Sequence, residues 1–136
     1  MAASTYLSDA TLNWLKGSAY PSAPVELHVS VHSADPGGAG TAGDVTTAVL
    51  GGRVQLLQSN LGAPGASPGG GRQISNTAVL TLSNSALASA TLTHYGLWSA
   101  STAGNLLVSG QLTTPVPVVV GDILRFAAGQ LVIPVR

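Results

Sequence analysis

Beyond residue 24 the apolar residues recur at every second position, in short runs that turn-forming residues close. The clearest run has Val25, Leu27, Val29 and Val31 alternating with Glu26, His28, Ser30 and His32. A period of two puts the first set on one face of a strand and the second on the other. The same pattern predicts strands over 53–59, 73–82, 89–98, 105–112, 116–120, 122–126 and 130–135. The links between most of them are too short for a helical crossover, so the strands must pair antiparallel. The expected fold is all-β: an antiparallel β-sandwich, jelly-roll-like, with one short N-terminal helix.

The helix is the exception to the period. Leu7, Thr11, Trp14 and Leu15 fall at helical spacing within residues 1–17. Gly17 follows Lys16 as a stop, and Pro21 and Pro24 prevent continuation. Three turns are too few to be stable in isolation. Trp14 and Leu15 are therefore expected to dock on a sheet or on a neighbouring subunit. With Tyr6, Leu7 and Tyr20 they form the candidate interface.

The chain has 136 residues. That length suits a single domain, with the sandwich over 24–136. Two glycine-rich segments, 35–52 and 60–72, are long for loops in so small a domain. Loops of that kind are usually functional or mobile, and both are expected to be mobile and to lie on neighbouring subunits.

Only 7% of residues are charged and the net charge is zero, against about 25% charged in an ordinary globular domain. The five acids and five bases do not cluster. A nucleic-acid partner is therefore not expected. Near-zero net charge favours association, and self-assembly into a trimer or dimer is expected. No run reaches the roughly 18 apolar residues of a membrane span, and no leader pattern opens the chain. A protein made in the cytoplasm, with no membrane partner, is the expectation.

The chemistry-bearing residues form no convincing constellation. Cysteine is absent, which removes thiolate metal sites and thiol nucleophiles. His28 and His32 are four apart, but on a strand that spacing separates them by about 13 Å, too far to share a metal. His94 lies inside a strand pattern, among Tyr95 and Trp98, where a packed histidine is expected. No serine sits in a nucleophile elbow, and the carboxylates offer no close pair. The run from Gly62 to Arg72 lacks the Gly-Lys-Ser/Thr end of a phosphate loop, and its prolines remove amide donors. No enzyme activity, metal or cofactor is expected.

The order of short motifs is more specific than any one of them. Gly17-Ser18-Ala19-Tyr20-Pro21 follows the helix, and His32-Ser33-Ala34-Asp35-Pro36 closes the first strand. Then come Ile74-Ser75-Asn76-Thr77-Ala78, Leu92-Thr93-His94-Tyr95-Gly96-Leu97-Trp98 and Gly110-Gln111-Leu112-Thr113-Thr114-Pro115. The last is Gly121-Asp122-Ile123-Leu124-Arg125-Phe126-Ala127-Ala128-Gly129-Gln130-Leu131. Over nearly its whole length the chain resembles small phage and prophage proteins commonly labelled tail fibre proteins. Asp122 is expected to tie down the turn before its strand. Ala127-Ala128-Gly129 reads as a hairpin turn joining strands that end at Phe126 and start at Leu131.

The resemblance implies a non-enzymatic virion protein. The first expectation is an oligomeric capsid decoration (cement) protein bound to the major capsid protein, because a low-charge surface and long loops suit contact with many neighbours. The alternative is a tail fibre, baseplate or tail-tip subunit. A third reading is a carbohydrate-binding module for host attachment, which the scarcity of aromatic residues disfavours.

Overall fold

The computed structural model describes residues 3–135. Its elements run α1 (Thr5–Leu15), β1 (Leu27–His32), α2 (Thr46–Leu50), β2 (Val54–Leu56), a 3-10 turn (Gln58–Asn60), β3 (Gly65–Ala66), β4 (Arg72–Ser75), β5 (Leu80–Ser83), β6 (Ala90–Trp98), β7 (Leu106–Val118), β8 (Leu124–Phe126) and β9 (Val132–Val135). Every strand pairing is antiparallel. The protein is all-β with a short N-terminal helix, as its period predicts. The strands divide into a four-stranded sheet in the order β2-β1-β6-β7, a three-stranded sheet β3-β4-β9 and a pair β5-β8.

The core lies between these sheets. Val29 and Val31 of β1, Leu92 and Tyr95 of β6, Phe126 of β8 and Leu131 are all inaccessible to solvent. Burying one such side chain stabilises by about 1.5–3 kcal/mol. Tyr95 also crosses between layers, its hydroxyl donating to the Val132 carbonyl at 2.6 Å.

Three strand expectations are corrected. Residues 73–82 are two strands in different sheets, because the chain breaks at Asn76. Residues 105–112 and 116–120 join into one strand, β7, that runs through Pro115 and Pro117. A proline has no N–H to give a ladder, so it suits a strand at the edge of its sheet, where β7 lies. The Ala127–Gly129 turn does not make a hairpin. Phe126 ends a strand paired with β5, whereas β9 pairs with β4, so the turn carries the chain from one sheet to another.

Asn76 holds that crossing. It is 2% exposed. Its Oδ1 accepts from the amides of Gly129 at 3.1 Å and Leu131 at 3.0 Å. Its Nδ2 donates to the carbonyls of Ala78 and Ala127, both at 2.9 Å. One side chain thus bonds four backbone groups, and it is the partner of two that the sheets leave over, the Leu131 amide and the Ala78 carbonyl, since Gly129 N also donates to the Asn76 carbonyl and Ala127 O also accepts from the Gln130 amide. The turn expected at Asp122 is present, with Oδ2 accepting from the Val119 amide at 2.8 Å.

β1 is buried on both faces, which corrects the half-exposed strand read from its alternation. Val25 lies outside the strand and is 94% exposed. The polar face is covered by the segment after β1. The 35–52 segment is not a plain loop. It pairs His32 with Asp44 in an isolated bridge and contains α2, with Thr46 and Val49 buried. Gly40 sits so close to Leu106 and Trp98 that a Cβ would come within 2.8 Å of both side chains. Its φ of 75° is also costly for other residues. The 60–72 segment likewise contains β3, paired with β4.

Candidate functional site

The polar face of β1 shows what its histidines do. The Nδ1 of His32 lies 2.9 Å from the Ala42 carbonyl, which can only accept, so Nδ1 carries the proton. Nε2 then accepts from the Ser30 hydroxyl at 2.7 Å. Ser30 Oγ in turn accepts from the Trp98 indole N–H at 2.9 Å. The neutral tautomer of His32 therefore satisfies every group in this buried chain. Arg53 caps its outer end, with the guanidinium 3.6 Å from the centroid of the Trp98 ring. It also donates to the carbonyls of Ala100 at 3.0 Å and Ala103 at 2.8 Å. Burial lowers the Arg53 pKa, and Asp44 partly opposes that shift.

This is scaffold chemistry. Ser30 stands between His28 and His32, and His32 is committed to Ala42 and Ser30. His28 is buried, with Nε2 3.0 Å from Glu26 Oε1 at an angle that makes no good hydrogen bond. Among the described residues no three His, Cys, Asp or Glu side chains gather where a metal could sit. His94 is half-buried, and its Nδ1 bonds the hydroxyl of Thr93 at 2.8 Å.

The helix carries the larger functional signal. Ser4 caps it, with Oγ accepting from the Leu7 amide at 3.1 Å. The Ser4 amide donates to the Leu107 carbonyl at 3.0 Å, and Ala3 bridges to Val108. The first turn is thereby welded to the edge of β7. Leu7 packs against the core. Past that turn the helix leaves the sheet and has no fully buried residue. Trp14 is 56% exposed, Leu15 70% and Leu12 60%. The expectation that Trp14 and Leu15 dock on a sheet is thus corrected: within one chain they face solvent.

The five candidate interface residues divide accordingly. Tyr6, Leu7 and Tyr20 come together around an apolar groove of about 480 Å³, between the helix with its 20–24 return and core residues such as Leu97 and Ile133. Tyr20 is turned back on the helix, its hydroxyl 3.2 Å from Thr11 Oγ1. Trp14 and Leu15 stand outside the groove, beside Leu12, which the stripe did not include.

A second apolar patch escaped the sequence reading. Leu87, Val119, Val120 and Ile123 are each more than half exposed. They lie on two turns tied together by Ala86 N to Asp122 O and Gly121 N to Ala86 O, both 2.8 Å. These turns sit where β6 begins and β7 ends, since Ala90 pairs with Val118. The helix is anchored near the other end of β7, beside Val108, whose partner on β6 is Leu97, seven residues from Ala90 and therefore about 23 Å along the sheet. Strong exposure of contiguous large apolar residues marks contact surfaces.

The sequence matches the family described as Podophage GP4 fiber I protein gp80 over residues 2–134. The chain belongs to this family. Membership makes it a phage fibre structural protein, a class that is generally non-enzymatic and that resides in the virion. Within the fibre family the capsid-decoration expectation finds no support, and the tail alternative fits better. No curated protein matches the chain. No helix among the described residues is long and apolar enough to cross a membrane.

Proposed function

We propose that the protein is a structural subunit of a podophage tail fibre, assembled with copies of itself and with other virion proteins through the exposed face of α1. The family match over residues 2–134 carries this reading. The apolar patches at the two ends of β7 support it physically. A subunit in an axial structure meets different neighbours above and below, and two different patches suit such heterologous contacts. A shell-capping protein needs its main contact surface on the side that faces the lattice. The low charge fits both roles and does not separate them. The core, the Asn76 crossing and the His32 chain give this subunit a rigid body. No part of the role requires a catalytic group.

Electron microscopy of virions labelled with gold-conjugated antibody to this chain tests the assignment. Gold on the tail, at a few sites per particle, is the expected outcome. Gold distributed over the head would refute it.

A further inference from the structure

We infer that the α1 arm is exchanged between copies: in the assembled protein, residues 3–15 of one chain lie in the slot along β7 of the next, and residues 16–26 are the hinge. The inference rests on the self-assembly proposed above and names the segment that crosses.

The arm is gripped at one end. Ala3 bridges to Val108, and the Ser4 amide donates to the Leu107 carbonyl at 3.0 Å. The Thr5 amide donates to the Gly38 carbonyl at 3.3 Å, and Leu7 packs against the core. From Ser8 to Pro24, among the described residues, the hydrogen-bonded tie to the body is Gln58 Nε2 donating to the Pro24 carbonyl at 3.0 Å. Elsewhere this stretch bonds to itself, as Thr11 does to Tyr20. The apolar groove of about 480 Å³ lies between it and the body, whereas a segment packed for its own body leaves no such gap. The slot holds a neighbour's arm by the same contacts as its own, so exchange costs little and joins two copies.

The hinge carries a second, independent observation. The alternation of Val25, Leu27, Val29 and Val31 asks for a strand that starts at Val25. In the single chain β1 starts at Leu27, the backbone bends at Val25, and Val25 is 94% exposed. That bend lets the linker reach back to its own β7, two strands away in the sheet. Straightening it lengthens β1 as the pattern asks and carries the arm outward. Pro21 and Pro24 keep the linker extended and hold Tyr20 and Ala23 extended too. From Lys16 to Val25 it spans at most about 30 Å, enough to reach a copy packed alongside. Crossed arms place Leu12, Trp14 and Leu15, all exposed in the single chain, between two bodies, where their burial stabilises the pair.

The chain has no cysteine, so an introduced disulfide reports which copy fills the slot. A Cβ on Gly38 stands 3.8 Å from the Thr5 Cβ, the separation a disulfide needs. The Thr5→Cys/Gly38→Cys variant is oxidised at micromolar concentration, its oligomeric state read by sedimentation velocity, and the product run on a non-reducing denaturing gel. Crossed arms give a covalent oligomer, which is the expected result. An internal disulfide at monomer mobility, in a protein that sediments as an oligomer, would overturn the exchange and leave self-assembly standing. A chain that sediments as a monomer would overturn both. The location of the chain in the virion bears on the fibre assignment alone. If the double variant misfolds, the two single variants, carried on chains of different length and refolded together, make the same distinction. A mixed disulfide between the Thr5→Cys chain and the Gly38→Cys chain is expected, and its absence would refute the exchange.

Discussion

The side chain of Asn76 accepts a hydrogen bond from the amide of Leu131, 55 residues away, at 3.0 Å, and so fixes the point where the chain passes from the β5-β8 pair to the β3-β4-β9 sheet. Two short motifs that look unrelated along the sequence, Ile74 to Ala78 and Ala127 to Leu131, are the two sides of this one contact.

Asn76→Ala should therefore be among the most damaging single substitutions in the protein. It leaves the Leu131 amide and the Ala78 carbonyl without their partner, in a place with little access to water, while the Gly129 amide keeps the Asn76 carbonyl and the Ala127 carbonyl keeps the Gln130 amide. Each buried unsatisfied group costs about 1–3 kcal/mol, and two of them, with partial relaxation, should leave a net loss of about 2–4 kcal/mol. Urea unfolding of the isolated protein measures it. A loss under about 1 kcal/mol would mean that the crossing is held by something else.

Tyr95 links stability to pH. Burial pushes its phenol well above the ordinary value of 10.0. The unfolded chain releases this proton near pH 10, whereas the native state keeps it. The native state then binds more protons, and stability falls as pH rises beyond that point. Tyr95→Phe should lose about 1–2 kcal/mol at neutral pH, because the Val132 carbonyl loses its donor. The same variant should show a flatter decline in alkali. An unchanged alkaline slope would show that Tyr95 is not its source.

Arg53 and Trp98 make a separate, testable unit. Arg53→Ala removes the cation from the indole face and two donors from the 100–103 turn. A cation–π contact of this kind contributes about 0.5–1 kcal/mol, and the turn should exchange its amide hydrogens faster. Of the two tryptophans, Trp98 is 9% exposed and Trp14 56%. A soluble quencher should reach Trp14 and spare Trp98 in the wild-type monomer. Quenching of Trp98 at wild-type stability would contradict the packing described.

The helix surface makes the opposite kind of prediction. Trp14→Ser and Leu15→Ser should change the stability of a single chain by less than about 0.5 kcal/mol, as exposed positions do. They should, however, dissociate whatever oligomer forms at micromolar concentration, measured by sedimentation velocity. An oligomer that survives both substitutions would place the self-contact elsewhere, with the Leu87 and Val120 patch as the next surface to alter.

The all-β class was legible because alternation reports burial directly, and Gly17, Pro21 and Pro24 bounded the helix to within a few residues. What alternation could not report was the second face of β1. His28, Ser30 and His32 read as a solvated row, and only the return of the 35–52 segment shows them buried. Asn76 offered a signal that went unused: asparagine is depleted in strands, and its place inside the 73–82 run marks the break. Trp14 and Leu15 share a helix face, but a stripe does not say whether its cover comes from the same chain.

The fibre assignment itself rests most directly on copy number. Purified virions and tailless heads can be run side by side on a gel and the band for this chain measured against the major capsid protein. A fibre subunit follows the symmetry of the tail, so a faint band in virions and none in tailless heads is the predicted result. A band that persists in tailless heads, in numbers comparable to the shell protein, would contradict it and return the chain to the capsid surface.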